Sequence, residues 1–196
     1  MKMWNELFEL KGEKVKLLPI SLHHIEGLWE AAKPDEIWTY MATTVRNKEE
    51  MKQMIASAIQ KREKGTEYTF TVVNQEDKII GSTRYLDISP EQKSLEIGST
   101  WYHPDSWRTS INTECKYLLL QHVFESWKVR RVQLKTDSRN LRSQKAIERI
   151  GAVKEGTLRK DRKIAGGYVR DTVYYSILDD EWGTVKLNLE RKLGVK

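Results

Sequence analysis

The residues from Trp107 to Asn112, Trp-Arg-Thr-Ser-Ile-Asn, lie where a strand-like segment ending at His103-Pro104 gives way to a helical pattern from Thr113. A helix N-terminus carries free backbone N–H groups and a partial positive charge, so it binds anions. Arg108 adds a mobile cation beside it, and the combination suits a pyrophosphate. The segment is not a P-loop, because GxxxxGK followed by Ser or Thr is missing, and not a dinucleotide fingerprint, because GxGxxG is missing. A loop entering a helix is also an ordinary connection, and on these six residues alone the ordinary connection is the favoured reading.

Other reactive side chains read more plainly. Asn140 is placed to cap a helix, with Ser143 in its first turn. His103 stands alone beside Pro104 and reads as a turn residue rather than a proton shuttle. His23 and His24 have no spaced acid or cysteine around them, so no metal site is expected. Cys115 is the sole cysteine, which rules out an internal disulfide and a CxxC site. It falls within an amphipathic helix and reads as a packing residue, which disfavours a covalent enzyme intermediate.

The chain has 196 residues, 39% hydrophobic and 32% charged, with a net charge of +6. It is long enough for one self-sufficient core, expected over residues 1–196 with 1–12 as a short N-terminal extension. The positive balance favours anionic partners such as nucleotides, a phosphorylated cofactor or a ribosome surface. Basic residues are dispersed without a nucleic-acid recognition motif, and the Lys61–Lys64 run reads as a solvated helix face. The N-terminal residues intersperse charges among apolar ones, so neither a signal peptide nor a membrane helix is expected, and the expected compartment is the cytoplasm.

The elements that must position these residues follow from periodicity. Strands are expected at Val15–Ile20, Tyr68–Val73, Ile79–Leu86, Leu95–Tyr102, Arg131–Thr136, Ala152–Lys163 and Tyr168–Leu178. Helices are expected at Leu22–Ala32, from Asn47 to a break near Gly65, at Thr113–Ser126, at Leu141–Ile150 with Gly151 as its stop, and after an Asp179–Glu181 cap. Hairpins across Asn74–Asp77 and Ala165–Gly167 argue against a doubly wound parallel sheet. The fold class is therefore α/β of the α+β type, with a mixed, mostly antiparallel central sheet flanked by helices.

The stretch LEIGSTWYHPDSWRTSINTECKYLLLQHVFE, followed by RVQLKTDSRNLRSQKAIERIGA, resembles the GNAT N-acetyltransferase superfamily. The branch it is most similar to is RimJ/RimL, the ribosomal-protein N-terminal acetyltransferase type. VKLLPISLHHIEGLW, EGTLRKDR and DTVYYSILDDEW extend the resemblance over nearly the whole chain. It implies acetyl-CoA as donor and a splayed pair of strands at the cofactor site. Trp107, Arg108, Thr109, Ser110, Ile111, Asn112 and Thr113 would then hold the pyrophosphate, and Trp101, Tyr102 and His103 would line the pantetheine arm. The family's loop follows approximately Q/R-x-x-G-x-G/A; here Trp107, Ser110 and Asn112 depart from it. Ser110 would stand in for a glycine that favours positive φ, which predicts weakened binding. Glu114 is expected to point away from the phosphates. Asn140 would contact the pantetheine, and Ser143 would sit near the thioester sulfur.

Acetyl transfer to an amine needs a base, an oxyanion donor and a proton for the leaving thiolate. Glu96 is the base candidate, with Asp161 as runner-up. Ser143 is the acid candidate, with Tyr174 and Tyr175 as alternatives, and a backbone N–H of the fourth core strand is the implied oxyanion donor. The expected function is direct transfer in a ternary complex to a primary amine, foremost a protein N-terminus. A small amine, amino acid or antibiotic is the alternative acceptor, with Trp29–Arg46 and the hairpin near Gly166 as acceptor walls. A non-catalytic acyl-CoA sensor or ribosome-binding module is the contrasting class. Homodimerisation through sheet edges stays open.

Overall fold

Val15 and Leu17 are buried while Lys16 between them reaches solvent, the period of two that makes a strand half-buried. In the computed structural model, which describes residues 6–195, such segments join into one eight-stranded sheet. The strands are β1 (Leu10–Lys11), β2 (Val15–Pro19), β3 (Tyr68–Asn74), β4 (Ile79–Ser89), β5 (Ser94–Tyr102), β6 (Arg131–Asp137), β7 (Val153–Lys163) and β8 (Val169–Leu178). Their order is β1-β2-β3-β4-β5-β6-β8-β7. Neighbours are antiparallel except β5 and β6, which run parallel because a helix carries the chain across between them.

Five α-helices complete the element order: α1 (Ile25–Ala32), α2 (Lys48–Glu63), α3 (Ile111–Gln121), α4 (Leu141–Arg149) and α5 (Trp182–Leu193). Successive residues of β3 face opposite sides of the sheet. Tyr68, Phe70 and Val72 pack with Leu119, Leu120 and Leu189 of α3 and α5. Thr71 turns the other way and shares a 2.8 Å hydrogen bond with His24 at the head of α1. That second face is covered by Leu28, Met51, Ile55 and Trp38, joined by Trp101 from β5. Burial of each large side chain such as Phe70 contributes roughly 1.5–3 kcal/mol.

Several element ends differ from the sequence expectation, and at α3 and α5 a local hydrogen bond gives the reason. α3 begins at Ile111, two residues before Thr113, because the Ser110 carbonyl already accepts the Glu114 N–H at 2.9 Å. It ends at Gln121, and His122–Ser126 form a wider π turn in which Trp127 N–H reaches back to the His122 carbonyl at 3.2 Å. At α5 the Glu181 carboxylate does not cap the helix; it turns back to the Leu178 N–H at 2.9 Å. By contrast Asn47 caps α2 through Glu50 N–H at 2.8 Å.

Of the segment expected as an N-terminal extension, residues 1–5 lie outside the described residues. The remainder supplies the edge strand β1 and an aromatic plug: Phe8 stacks on His122 with ring centroids 4.4 Å apart and tilts against Tyr68 at 4.5 Å. No helix among the described residues is long and apolar enough to cross a membrane.

Candidate active site

β5 and β6 pair over Ser94–Glu96 against Arg131–Gln133 and then part. Ile97–Tyr102 and Leu134–Asp137 diverge, each still held by its outer neighbour, β4 or β8. Their inward-facing backbone groups therefore line an opening rather than a ladder. A bulge widens it: Ser82 faces Trp101 and Arg84 faces Gly98, so β5 spends one more residue than β4 there, and Ser99 takes φ 46°. Gly81 permits this bend, because a Cβ on it would lie 2.1 Å from the Trp101 carbonyl oxygen.

The opening continues into a cavity of about 480 Å³ that runs from the 107–112 loop, past α4, to the 36–42 segment and the β7–β8 hairpin. At its mouth, Arg108, Arg142, Lys145 and Arg149 converge from the loop and from α4. Arg149 donates to Thr113 Oγ1 at 3.3 Å, and Arg142 stacks its guanidinium on the Trp107 ring at 3.8 Å. None of these four cations is paired with a carboxylate among the described residues. Trp107 is fixed in turn by its indole N–H, which donates to the Tyr102 carbonyl at 3.0 Å.

Inside, Glu96 is buried and lines the cavity. Its Oε2 accepts from Lys135 Nζ at 2.6 Å and from Gln133 Nε2 at 3.3 Å. Oε1 leans over Gly98, where any Cβ would stand 2.6 Å from it. Lys116 reaches the same region from α3: its Nζ donates to Thr100 Oγ1 at 2.6 Å, and Thr100 shares a 2.8 Å hydrogen bond with Thr83. Burial drives the Lys116 ammonium down to about 8, with Cys115 opposing it. Burial likewise raises the Cys115 thiol to about 12, which keeps it protonated and unsuited to nucleophilic attack. The Trp101 indole N–H is buried without a hydrogen-bond partner among the described residues.

At the C-terminal end of β6, Asp137 accepts a fork from Arg139, Nε to Oδ1 at 2.9 Å and Nη2 to Oδ2 at 2.7 Å. Burial would raise the Asp137 carboxyl, but the Arg139 bonds outweigh it and leave it below the usual carboxylate value. The same guanidinium lies 3.6 Å over Tyr168 of the hairpin connection and 5.7 Å from the ring of Tyr40, tying the hairpin to the 36–42 segment.

Of the residues singled out from sequence, Glu96, Trp101, Tyr102, Trp107, Arg108, Thr109, Asn112, Asn140 and Ser143 line this one cavity. His103, Ser110, Ile111 and Thr113 do not. His103 Nδ1 accepts from Asp105 N–H at 3.3 Å, Ser110 Oγ accepts from Lys14 Nζ at 2.9 Å, and Ile111 packs against the core. The expected strain at Ser110 is misplaced: its φ is −75°, and the left-handed residue of the loop is Arg108 at φ 62°. Glu114 turns away, accepting the N–H groups of Glu13 and Lys14 at 2.8 and 2.9 Å.

Asn140 Oδ1 accepts from Ser143 N–H at 3.0 Å, which caps α4, and its amide nitrogen makes no hydrogen bond among the described residues. The Ser143 hydroxyl is equally unengaged. Asp161, Tyr174 and Tyr175 lie outside the lining; the Tyr175 hydroxyl donates to Glu148 Oε1 at 3.1 Å on the α4 side. Sequence reasoning missed Arg142, Lys145 and Arg149, although their spacing of three and four puts them on one helix face. It also missed Lys116, Lys135, Arg162 and Arg170, which carry no comparable local signal. Among the described residues no group of three or more His, Cys, Asp or Glu could hold a metal ion.

Known proteins share both sequence and shape with this chain. The sequence profile of the family described as acetyltransferase (GNAT) domain matches residues 14–153. The ribosomal-protein-serine acetyltransferase of Escherichia coli (strain K12) is 22% identical over 174 residues, covering 87% of this chain and 96% of that protein. The crystal structure of a GCN5-related N-acetyltransferase from Brucella melitensis superposes with a TM-score of 0.87 at 26% identity, covering 97% of this chain and 90% of the other. The microcin C7 self-immunity acetyltransferase MccE, whose crystal structure is a complex with acetyl-CoA and AMP, shares the fold with a TM-score of 0.78 at 23% identity over 85% of this chain and 93% of its own. With more than half of its length matched, a mixed sheet that opens between β5 and β6, and a cationic mouth beside the opening, this chain belongs to the GNAT family of N-acetyltransferase enzymes.

Proposed function

We propose that this enzyme uses acetyl-CoA as donor and transfers the acetyl group directly to a primary amine, foremost the N-terminal amine of a peptide. The carrying observation is the continuity of the opening between β5 and β6 with one cavity lined both by four cations unpaired among the described residues and by the buried Glu96 carboxylate. The residues present fit the donor. Arg108, Arg142, Lys145 and Arg149 suit its phosphates, and the diverging backbone edges with the free Asn140 amide suit its amide-bearing arm.

Bound acetyl-CoA supplies an activated acetyl thioester. Glu96 takes the proton of the incoming ammonium on Oε1, while Lys135 and Gln133 fix the carboxylate through Oε2. Ser143 holds a hydroxyl proton available to the departing thiolate, its position set by the Asn140 cap. Trp38, packed on Trp101 at 5.5 Å, and the Tyr40–Arg139–Tyr168 contact screen this region from water. Peptide N-termini as acceptors are supported by the cavity's second end at the 36–42 segment and by the substrate class in the name of the Escherichia coli relative.

The test is calorimetric titration with acetyl-CoA followed by thiol release against peptides, polyamines and aminoglycosides. Binding with peptide-dependent release supports the reading. Binding without release under any amine would make the protein a sensor, and no binding would overturn the donor assignment.

A further inference from the structure

Two arginines of the β7–β8 hairpin make no ion pair among the described residues. Arg162 and Arg170 are direct cross-strand partners, and both line the cavity. Like charges opposed across an antiparallel pair repel. The opposition is built by an irregularity: Leu158 faces Thr172 and Arg162 faces Arg170, so β7 carries two more residues than β8 between these pairs. Lys160 takes φ 50° there, and its N–H is held by Asp171 Oδ1 at 2.7 Å.

Arg170 is only 7% exposed. Its Nε donates to Thr172 Oγ1 at 3.0 Å, and its terminal nitrogens have no hydrogen bond or ion pair among the described residues. Burial, then the charge of Arg162, pushes its guanidinium below the ordinary arginine value. The acids that act on it are Asp137, Asp161 and Glu96. Two of these are already engaged, Asp137 by Arg139 and Glu96 by Lys135. What remains is Arg162, Arg170 and the exposed Asp161, a net of two positive charges less one negative, which matches a monoanion. The terminal nitrogens of Arg170 open onto the cavity, where a ligand anion can take the donors that no protein group uses. The contact of Arg139 with Tyr168 and Tyr40 joins this hairpin to the 36–42 segment, whereas Arg142 of α4 stacks on Trp107 beside Arg108.

We propose that Arg162 and Arg170 form a carboxylate subsite of the acceptor end, so that the preferred substrate is an amine that also carries a carboxylate. The inference rests on the transferase reading above and deepens it: the amine goes to Glu96 and the carboxylate to the paired guanidinium groups. The carboxylate belongs either to an acidic side chain near a peptide N-terminus or to the α-carboxylate of a free amino acid.

Two matched pairs of probes separate these sources: Ala-Glu-Ala amide against Ala-Gln-Ala amide, and free alanine against alaninamide. Each is titrated calorimetrically into the protein with excess CoA, then assayed for thiol release with acetyl-CoA. In at least one pair the acid member is expected to bind about tenfold more tightly, and Arg170→Gln or Arg162→Gln to reduce that ratio below about twofold. Arg170→Lys retains part of it, and affinity for acetyl-CoA is unchanged in all three variants. Arg162→Gln, on an exposed strand end, decides the matter if Arg170→Gln does not fold.

Equal responses within both pairs, including none at all, overturn the proposal. So does an acid preference that survives both glutamine variants, or variants that weaken acetyl-CoA about tenfold and leave acceptor preference intact. Acid-dependent binding without thiol release supports the subsite and removes the transferase reading, whereas thiol release without acid preference does the reverse.

Discussion

The Lys135 ammonium lies 2.6 Å from Glu96 Oε2, across the point where β5 and β6 begin to part. One oxygen of the buried carboxylate is thereby fixed and the other left facing Gly98 and the cavity. Glu96→Gln is expected to lower kcat by roughly 10²–10⁴, the usual contribution of a positioned general base, while leaving acetyl-CoA affinity intact. Lys135→Met, which frees the carboxylate to swing, is expected to cost less. Steady-state kinetics with a responsive amine decide it, and a Glu96→Gln enzyme within threefold of wild type would remove the assignment.

At the mouth, stacking on Trp107 and the cationic charge of Arg142 act together. Arg142→Ala is expected to weaken acetyl-CoA by about tenfold, with the loss shrinking at high salt. Ser110→Gly is expected to change it by less than about twofold, because Ser110 sits in the right-handed region and needs no glycine. Calorimetric titration of the two variants at low and high ionic strength checks both statements.

Lys116 makes stability depend on pH. Its folded value, about 8, lies below the ordinary 10.5, so between these limits the unfolded chain binds more protons. Stability from this group therefore rises as pH climbs from about 8 to 10.5. Lys116→Met removes the slope, and the variant is expected to gain on wild type at pH 7 and to lose that advantage by pH 10. Urea unfolding across this range measures the difference, and parallel curves for the two proteins would show that the ammonium is not desolvated.

Gly81→Ala drives a Cβ to within 2.1 Å of the Trp101 carbonyl oxygen. The bulge of β5 must shift, with an expected loss of about 1–3 kcal/mol and a fall in acetyl-CoA affinity. Thermal unfolding together with calorimetry checks whether the two losses travel together.

How far the sequence carried depended on the range of the interaction. Met51, Ile55 and Ala58 mark α2 by spacing alone, and Gly151, at φ 97°, marks the end of α4, because both signals are local. Glu96 was visible as a carboxylate in a strand. Its partner Lys135 was not, since the pairing depends on how β5 and β6 register across a whole intervening helix. The bulge of β5 takes its positive φ at Ser99 rather than at the neighbouring Gly98, and the start of α3 at Ile111 has no side-chain cap at Ser110. The α4 cations had the spacing of a face, yet nothing local says whether a charged face meets water or a ligand. The opposition of Arg162 and Arg170 is set by residues 159–161, so simple alternation does not reveal it.

Only three residue pairs connect β5 to β6, so the sheet is two antiparallel blocks, β1 to β5 and β6 to β7, basted together along a short seam. Such a seam is where a sheet hinges most easily, because few rungs must stretch for the blocks to rock. A guest lying along the opening would act as a splint, lending its own amides to edges that the fold leaves bare. Proton exchange at Ile97–Tyr102 and Leu134–Asp137 should then slow when the opening is filled, and the two blocks should melt as one.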